Sequence, residues 1–392
     1  KRQVIERMTG YLVDSNSNLG GFFKTTRETA REVAKARAAM ADLINAPSAD
    51  EIIFGQNMTS LTMHMSRSVG RHLNAGDEII LSCMDHEGNI SPWLAVARDL
   101  GLEIKWLPFN VETFEFDLDE LEKRLTRKTR LVCIGAASNM LGTINDIESI
   151  CKMSRDAGAL TYIDAVQAAP HVVVDVQKMG CDFLVCSAYK FFGPHQGILW
   201  GRREILESLD PYKVRPASSQ IPDCFETGTQ SHEGMVGTAA AVDYFASLGK
   251  SMASEFQPHH SEFNGRRLYL RAAMDMLFEY EVALAGQLLN GLQDIPGARI
   301  LGISQQESLN RRVPTVCFVV EGMSASRIAE ELAGENIFVW SGCYYAVEAS
   351  RALGILDTGG AVRVGPVHYN SPAEVDRFLE VLESIVAGYR SR

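Results

Sequence analysis

No stretch of this 392-residue chain approaches the roughly 20 consecutive apolar residues that crossing a bilayer requires, so no membrane span is expected. A secretory signal pattern is missing as well. The chain opens at Lys1 without a methionine, which leads us to expect further residues upstream. Positive charge is in short supply: 38 Lys and Arg against 49 Asp and Glu give a net charge of −11. That balance argues against nucleic acid or an anionic membrane as the main partner. None of the eight cysteines forms a C-x-x-C pair, which removes the usual zinc and disulfide patterns, and no metal site is expected. Cys133 and Cys317 sit inside apolar runs, as in Leu131-Val132-Cys133-Ile134, and read as small buried hydrophobes in a reducing cytoplasm. There is no internal repeat and no low-complexity linker. What remains is an ordinary globular composition, 46% hydrophobic and 22% charged, long enough for two units with separate cores.

Short apolar runs alternate with helical patterns over the first two-thirds. Glu51–Phe54 precedes a helix starting near Ser60. Asp77–Leu81 precedes a helix after Pro92, and Leu102–Trp106 follows it. Leu131–Gly135 precedes a helix near Ile147–Ala157, and two further strands end at Asp164 and just before Lys190. This alternation predicts an α/β fold whose large domain, 12–257, has a mostly parallel sheet between helices. From about Pro258 the texture changes. A helix over Ser261–Leu277, strands at Arg312–Val320 and Phe338–Trp340, and a closing helix Pro372–Gly388 predict a smaller α+β domain, 258–392. Residues 1–11 are expected to pack with it.

Ligands of open parallel sheets bind beyond the carboxyl ends of the strands, where Asp164 and Lys190 fall. Alone, Lys190 fits a snorkelling surface residue, and Asp164 fits a helix cap. Together, 26 positions apart at successive strand ends and joined by Gln167, they form the set that holds pyridoxal phosphate (PLP). The amine makes the Schiff base, and the carboxylate keeps the pyridine nitrogen protonated so that the ring draws electrons. A buried lysine also has a lowered pKa and hence a usable neutral amine. Gln56-Asn57-Met58-Thr59-Ser60, at the predicted helix start, offers N–H groups and the hydroxyls of Thr59 and Ser60 to a phosphate, which a plain hydroxyl cap would equally explain. Ser187 is a second phosphate candidate. His86 follows a strand and can stack on a ring and shuttle protons, although a lone loop histidine commonly does neither. Arg363, in Gly360-Ala361-Val362-Arg363-Val364-Gly365, has an apolar, glycine-flanked setting suited to a buried carboxylate anchor, and Asn139 offers a second bond or a simple turn residue.

These motifs together resemble the class V (fold type I) PLP-dependent aminotransferases, in particular the cysteine desulfurase and selenocysteine lyase group, over nearly the whole chain. Asp164-Ala165-Val166-Gln167 matches the family's pyridine-nitrogen Asp and ring-hydroxyl Gln. Ser187-Ala188-Tyr189-Lys190 is similar to its Ser-Gly-His-Lys, with Tyr189 in place of a phosphate-binding His. The resemblance implies further roles: Thr59 on the phosphate, His86 on the ring, Asn139 and Arg363 on the substrate. Thr229 matches a residue that reaches the phosphate of a neighbouring subunit, which implies a homodimer with shared active sites. The runs Asn16-Ser17-Asn18-Leu19-Gly20-Gly21 and His368-Tyr369-Asn370 resemble the "cysteine desulfurase-like" branch, whose members begin further upstream.

One loop departs from the pattern. Desulfurases carry a nucleophilic Cys in a Gly-His-His-Cys-type motif, whereas this chain reads Ser341-Gly342-Cys343-Tyr344-Tyr345-Ala346. Cys343 directly follows the glycine, and Tyr345 occupies the usual nucleophile position. Cys343 reaches a substrate sulfur only if this loop moves and its thiol ionises. The expectation is a cytoplasmic PLP enzyme that acts on an L-amino acid and cleaves a C–S or C–Se bond at Cβ. Cys343 is then the candidate sulfur acceptor, with a sulfur-acceptor protein beyond it. Racemisation or epimerisation at Cα and aminotransfer share the first proton abstraction and remain alternatives. A scaffold that kept the fold without chemistry is a different class.

Overall fold

A computed structural model describes residues 1–391. Seven strands form the larger sheet: β1 (Ile52–Gly55), β2 (Glu78–Ser82), β3 (Glu103–Leu107), β4 (Thr129–Gly135), β5 (Leu160–Asp164), β6 (Phe183–Ser187) and β7 (Gly197–Gly201). Their order across the sheet is β1-β7-β6-β5-β4-β2-β3. Neighbours from β6 to β3 are parallel, and β7 alone runs against both β6 and β1. The sheet is buried on both faces, because alternate residues enter different cores. Ile80, Val132, Ile134, Ile163 and Leu184 pack on one side, whereas Ile79, Leu81, Leu131, Cys133 and Val185 pack on the other. Two-sided burial explains why these strands read as continuous apolar runs rather than as alternation.

A second, antiparallel sheet holds β8 (Ala298–Leu301), β9 (Val316–Val320), β10 (Trp340–Gly342) and β11 (Ala361–Val364) in the order β10-β11-β9-β8. The strand expected over Arg312–Val320 begins only at Val316, because Pro314 has no N–H to give to a ladder. Arg312 is instead fully buried, its guanidinium donating to the carbonyls of Ile303, Val313 and Thr315. The strand expected at Phe338–Trp340 lies two residues later. The helix expected over Ser261–Leu277 spans Gly265–Asp294, since Leu284, Leu288, Leu289 and Leu292 continue its buried stripe onto the second sheet. The final helix runs Pro372–Arg390, with Ser371 and Glu374 forming a capping box.

The N-terminal helix Arg2–Asp14 corrects an expectation. It packs on helix His232–Ser251, with Met8 against Gly237, and Arg7 pairs with Glu32 of helix Lys24–Leu43. Lys1 Nζ lies over the rings of Phe192 and Tyr244 as well as that of Tyr369. The apolar Val4 and Tyr11 are buried here, and that burial fixes the helix on the larger unit. Buried Glu281 of the long helix ties the two parts together. It accepts from His368 N at 3.0 Å and lies 2.7 Å from His171 Nδ1. Among the described residues no helix is long and apolar enough to cross a membrane.

Candidate active site

Parallel strands bring their following loops to one edge. Gly135, Asp164 and Val185 are aligned in register across β4, β5 and β6. The segments after these strands carry Asn139, Gln167 and Lys190, while His86 follows β2 and Thr59 follows β1. Lys190 sits on a 3-10 turn, Ala188–Phe191, with its Nζ 5.2 Å from the Tyr189 ring centroid. Burial, reinforced by the charge of Arg363, lowers its pKa; Asp164 opposes this. Asp164 is 7% exposed and accepts one hydrogen bond, from Val166 N at 2.8 Å, with no ion pair among the described residues. Burial lifts its carboxyl to about 7, and the nearby Asp85 adds to the rise.

His86 is held in its neutral form. Its Nδ1 accepts from Gly88 N at 2.9 Å, and burial, then Lys190 and Arg363, pushes its pKa down to about 4. Its ring lies 5.4 Å from that of Tyr345. Asp85, just before it, was not foreseen. This buried carboxylate accepts from Ser82 Oγ (2.5 Å), Asn89 Nδ2 (2.7 Å) and Gly135 N (2.9 Å), so it fastens the His86 loop to β4. The spacing Ser82-x-x-Asp85-x-x-x-Asn89 was the available signal.

The expected phosphate loop starts a helix at Met58, capped by Asn57 rather than by Thr59 or Ser60: Asn57 Oδ1 accepts from Ser60 N at 2.9 Å. Ser187 Oγ accepts from Met58 N, which joins the Lys190 turn to this helix start. Thr59 and Ser60 are exposed, and Thr59 N has no partner among the described residues. A Cβ on Gly88 would lie 3.0 Å from each of His86 Nδ1, Met58 Sδ and Thr59 Oγ1, so these side chains would have to shift to admit a larger residue where they converge. Tyr189 is stacked on His195, 5.0 Å between centroids. Thr229 lines a cleft of about 820 Å³ with Ser60, His64, His195 and Glu233 of its own chain. Gln167 donates from Nε2 to Thr315 Oγ1 at 2.8 Å, a partner 148 residues away that no local pattern announces.

Arg363, on β11, reaches across to the larger unit. Its Nη1 donates to Asn139 O at 2.7 Å, and its guanidinium carbon lies 4.3 Å from the Tyr344 ring centroid. No carboxylate pairs with it among the described residues, and burial lowers its pKa. Asn139 Nδ2 donates to Tyr344 O at 2.9 Å. Cys343 is half-buried, and the two residues after it both have positive φ, 55° at Tyr344 and 57° at Tyr345. Left-handed backbone at bulky residues costs about 1–2 kcal/mol each and persists only where surroundings enforce it.

The donor set fits PLP. An amine with lowered pKa, a buried carboxylate without a cation and a helix start converge on one strand edge, with glycine where the groups crowd. Asp164 would hold the ring nitrogen of the cofactor, whose positive charge would compensate the buried carboxylate.

The class V aminotransferase family model matches residues 1–269 and 266–378. A probable cysteine desulfurase of Synechocystis sp. is 32% identical, covering 98% of this chain and 88% of that protein. An aminotransferase-like protein of Gibberella zeae is 33% identical, covering 98% and 90%. The apo structure of a cysteine desulfurase from Thermococcus onnurineus superposes with a TM-score of 0.86 at 26% identity, covering 99% of this chain and 92% of that one. With the Lys190–Asp164 edge in place and the match running nearly end to end, this chain belongs to the class V aminotransferases, enzymes that work with pyridoxal phosphate.

Proposed function

We propose that this enzyme binds an L-amino acid and breaks the bond between Cβ and a sulfur or selenium substituent, as a cysteine desulfurase does. The observation that carries the reading is Arg363. A largely buried guanidinium that gives one N–H to Asn139 O, meets no carboxylate among the described residues and lies near enough to Lys190 to lower its pKa is poised for an incoming carboxylate.

In this reading Lys190 attaches the cofactor, Asp164 holds its ring nitrogen and Thr59, Ser60 and Ser187 hold its phosphate. The bound cofactor supplies an electron-withdrawing ring that stabilises negative charge developing at Cα. Lys190 Nζ, freed by the substrate amine and kept available as a base by its lowered pKa, takes the Cα proton. Neutral His86 would present an uncharged ring to the cofactor. Arg363 and Asn139 hold the substrate carboxylate and so fix which Cα substituent faces Lys190.

Two outcomes balance. If the sulfur leaves with the C–S electron pair, cysteine and water give pyruvate, ammonia and sulfide. If Cys343 Sγ attacks that sulfur instead, alanine forms and the enzyme carries a persulfide, which a thiol-bearing acceptor protein would then receive. Cys343 is the thiol we assign to that second route, which requires its loop to release the bonds that Asn139 Nδ2 and Glu87 N make to Tyr344 O and Tyr345 O. Incubation with L-cysteine, cysteine sulfinate, selenocysteine and cystine, with alanine, pyruvate and sulfide measured, tests the reading. Alanine that vanishes in Cys343→Ala supports the persulfide route, and pyruvate with ammonia supports the lyase route. Deuterium entering Cα without product from any substrate would refute Cβ cleavage in favour of epimerisation.

We further propose a homodimer, supported by exposed Thr229 on the open cleft beside Ser60. The eight unpaired thiols support a cytoplasmic location. The change from one sheet to the other supports a domain division near residue 258.

A further inference from the structure

The loop that follows β10 is pinned from three directions. Asn139 Nδ2 donates to Tyr344 O at 2.9 Å, and Glu87 N donates to Tyr345 O at 2.7 Å. The Tyr344 hydroxyl shares its one proton between two carbonyl acceptors, Trp340 O at 2.9 Å and Ala361 O. Trp340 is the register partner of Arg363 across the β10–β11 ladder, and Ala361 lies two residues before Arg363 on the same strand. Tyr344 is therefore anchored, by its hydroxyl, on the backbone flanking Arg363.

From that anchor its ring faces the guanidinium at 4.3 Å. Arg363 Nη1 in turn donates to Asn139 O, and Asn139 Nδ2 returns to Tyr344 O. Ring, guanidinium, amide and carbonyl close a circuit of three residues. Its chemistry suits a receptor for one anion. A buried guanidinium needs compensation for lost hydration, yet a carboxylate neighbour would occupy the donors that substrate requires. The negative face of an aromatic ring lowers the energy of the cation without consuming its N–H groups.

We propose that Tyr344 is the positioning residue of the substrate carboxylate subsite, holding Arg363 by its ring and Asn139 by its carbonyl, and so makes the enzyme select α-amino acids over amines. This rests on the carboxylate role of Arg363 argued above. Tyr344 touches no reacting atom. Its backbone, like that of Tyr345, is held at positive φ.

The test compares L-alanine, which has no leaving group on Cβ, with ethylamine, the same amine without the carboxylate. Binding of each to the holoenzyme is read from the absorption change of the bound cofactor, independently of any C–S cleavage. Tyr344→Asn removes the ring with the non-glycine residue that left-handed backbone tolerates best. It is expected to lower the preference for L-alanine over ethylamine about tenfold or more while leaving ethylamine affinity unchanged, the size a desolvated cation–π contact supports. Tyr344→Phe keeps the ring but loses the hydroxyl anchor, and is expected to fall between wild type and Tyr344→Asn in that preference. Arg363→Lys reports on the underlying reading, and is expected to lower the preference at least as far as Tyr344→Asn. Equal loss for both ligands in Tyr344→Asn, or a Tyr344→Phe that falls as far as Tyr344→Asn, overturns the positioning role. An unchanged preference in Arg363→Lys overturns the carboxylate role itself, and this inference with it.

Discussion

Asp164→Asn is expected to make the cofactor-free protein more stable at pH 8 while weakening cofactor binding. The carboxyl ends β5 nearly buried, with one backbone donor and no cation partner, and its pKa rises from 3.8 to about 7. In the unfolded chain the proton leaves near 3.8; in the folded protein it stays until about 7. Between these values the folded state binds more protons, so stability falls as pH rises through the window. At about 1.4 kcal/mol per tenfold change, the loss from this group reaches about 4 kcal/mol by pH 8 and about 2 kcal/mol at pH 5. Asparagine keeps the shape, still accepts from Val166 N through Oδ1, and carries no charge at any pH. Urea unfolding of cofactor-stripped wild type and variant at pH 5, 6.5 and 8 measures the difference. The variant should gain most at pH 8 and progressively less toward pH 5. A variant no more stable than wild type at pH 8, or a gain that does not shrink with acid, would refute the reasoning. Cofactor titration should show the opposite ranking, because the ring nitrogen's positive charge relieves the wild-type carboxylate and does nothing for the amide.

His86→Gln should act with the opposite sign. The pKa of His86 is depressed from 6.5 to about 4, so the unfolded chain takes up a proton first as pH falls. Cofactor-free wild type therefore loses up to about 3 kcal/mol between pH 6.5 and 4, a slope the variant should lack in the same unfolding series. Glu281→Leu leaves His171 Nδ1 and His368 N without their buried acceptor, and is expected to cost about 3–5 kcal/mol in thermal or urea unfolding; a loss under 1 kcal/mol would show that the pair is not needed. Gly360→Ala places a Cβ 2.2 Å from the Gly342 carbonyl at φ +80°, so it should displace the Cys343 loop. Faster limited proteolysis within 340–346, with a stability loss of about 2 kcal/mol or more, is the expected result.

Six of the seven strands of the large sheet were legible, because most of them bury both faces and so read as unbroken apolar runs between helical patterns; β7, equally buried but bounded by glycines at 197 and 201, was missed. Asp164 and Lys190 stood out for the same reason: polar groups at the ends of such runs are conspicuous, and successive parallel strands place their ends together. Elements with one exposed face were read less well. The strand at Arg312–Val320 lost its first residues to Pro314, and the helix from Gly265 runs well past Leu277 because its buried stripe passes from one unit to the other. The N-terminal helix was assigned to the wrong neighbour, since nothing in Val4 or Tyr11 says which apolar surface will cover them.

By itself the sequence determined the α/β order, the strand-end amine and carboxylate, and the residue types able to receive a phosphate and a carboxylate. Each of these follows from local periodicity or from a polar group in an apolar context. Tertiary structure alone decided that Arg363 meets Asn139 across 224 residues and that Gln167 meets Thr315 across 148. It also placed the Tyr344 ring on the guanidinium and left Asp164 without a cation. Such pairings arise where two separately folded sheets close on each other, and the geometry of that closure is set by packing over the whole chain rather than by any segment of it.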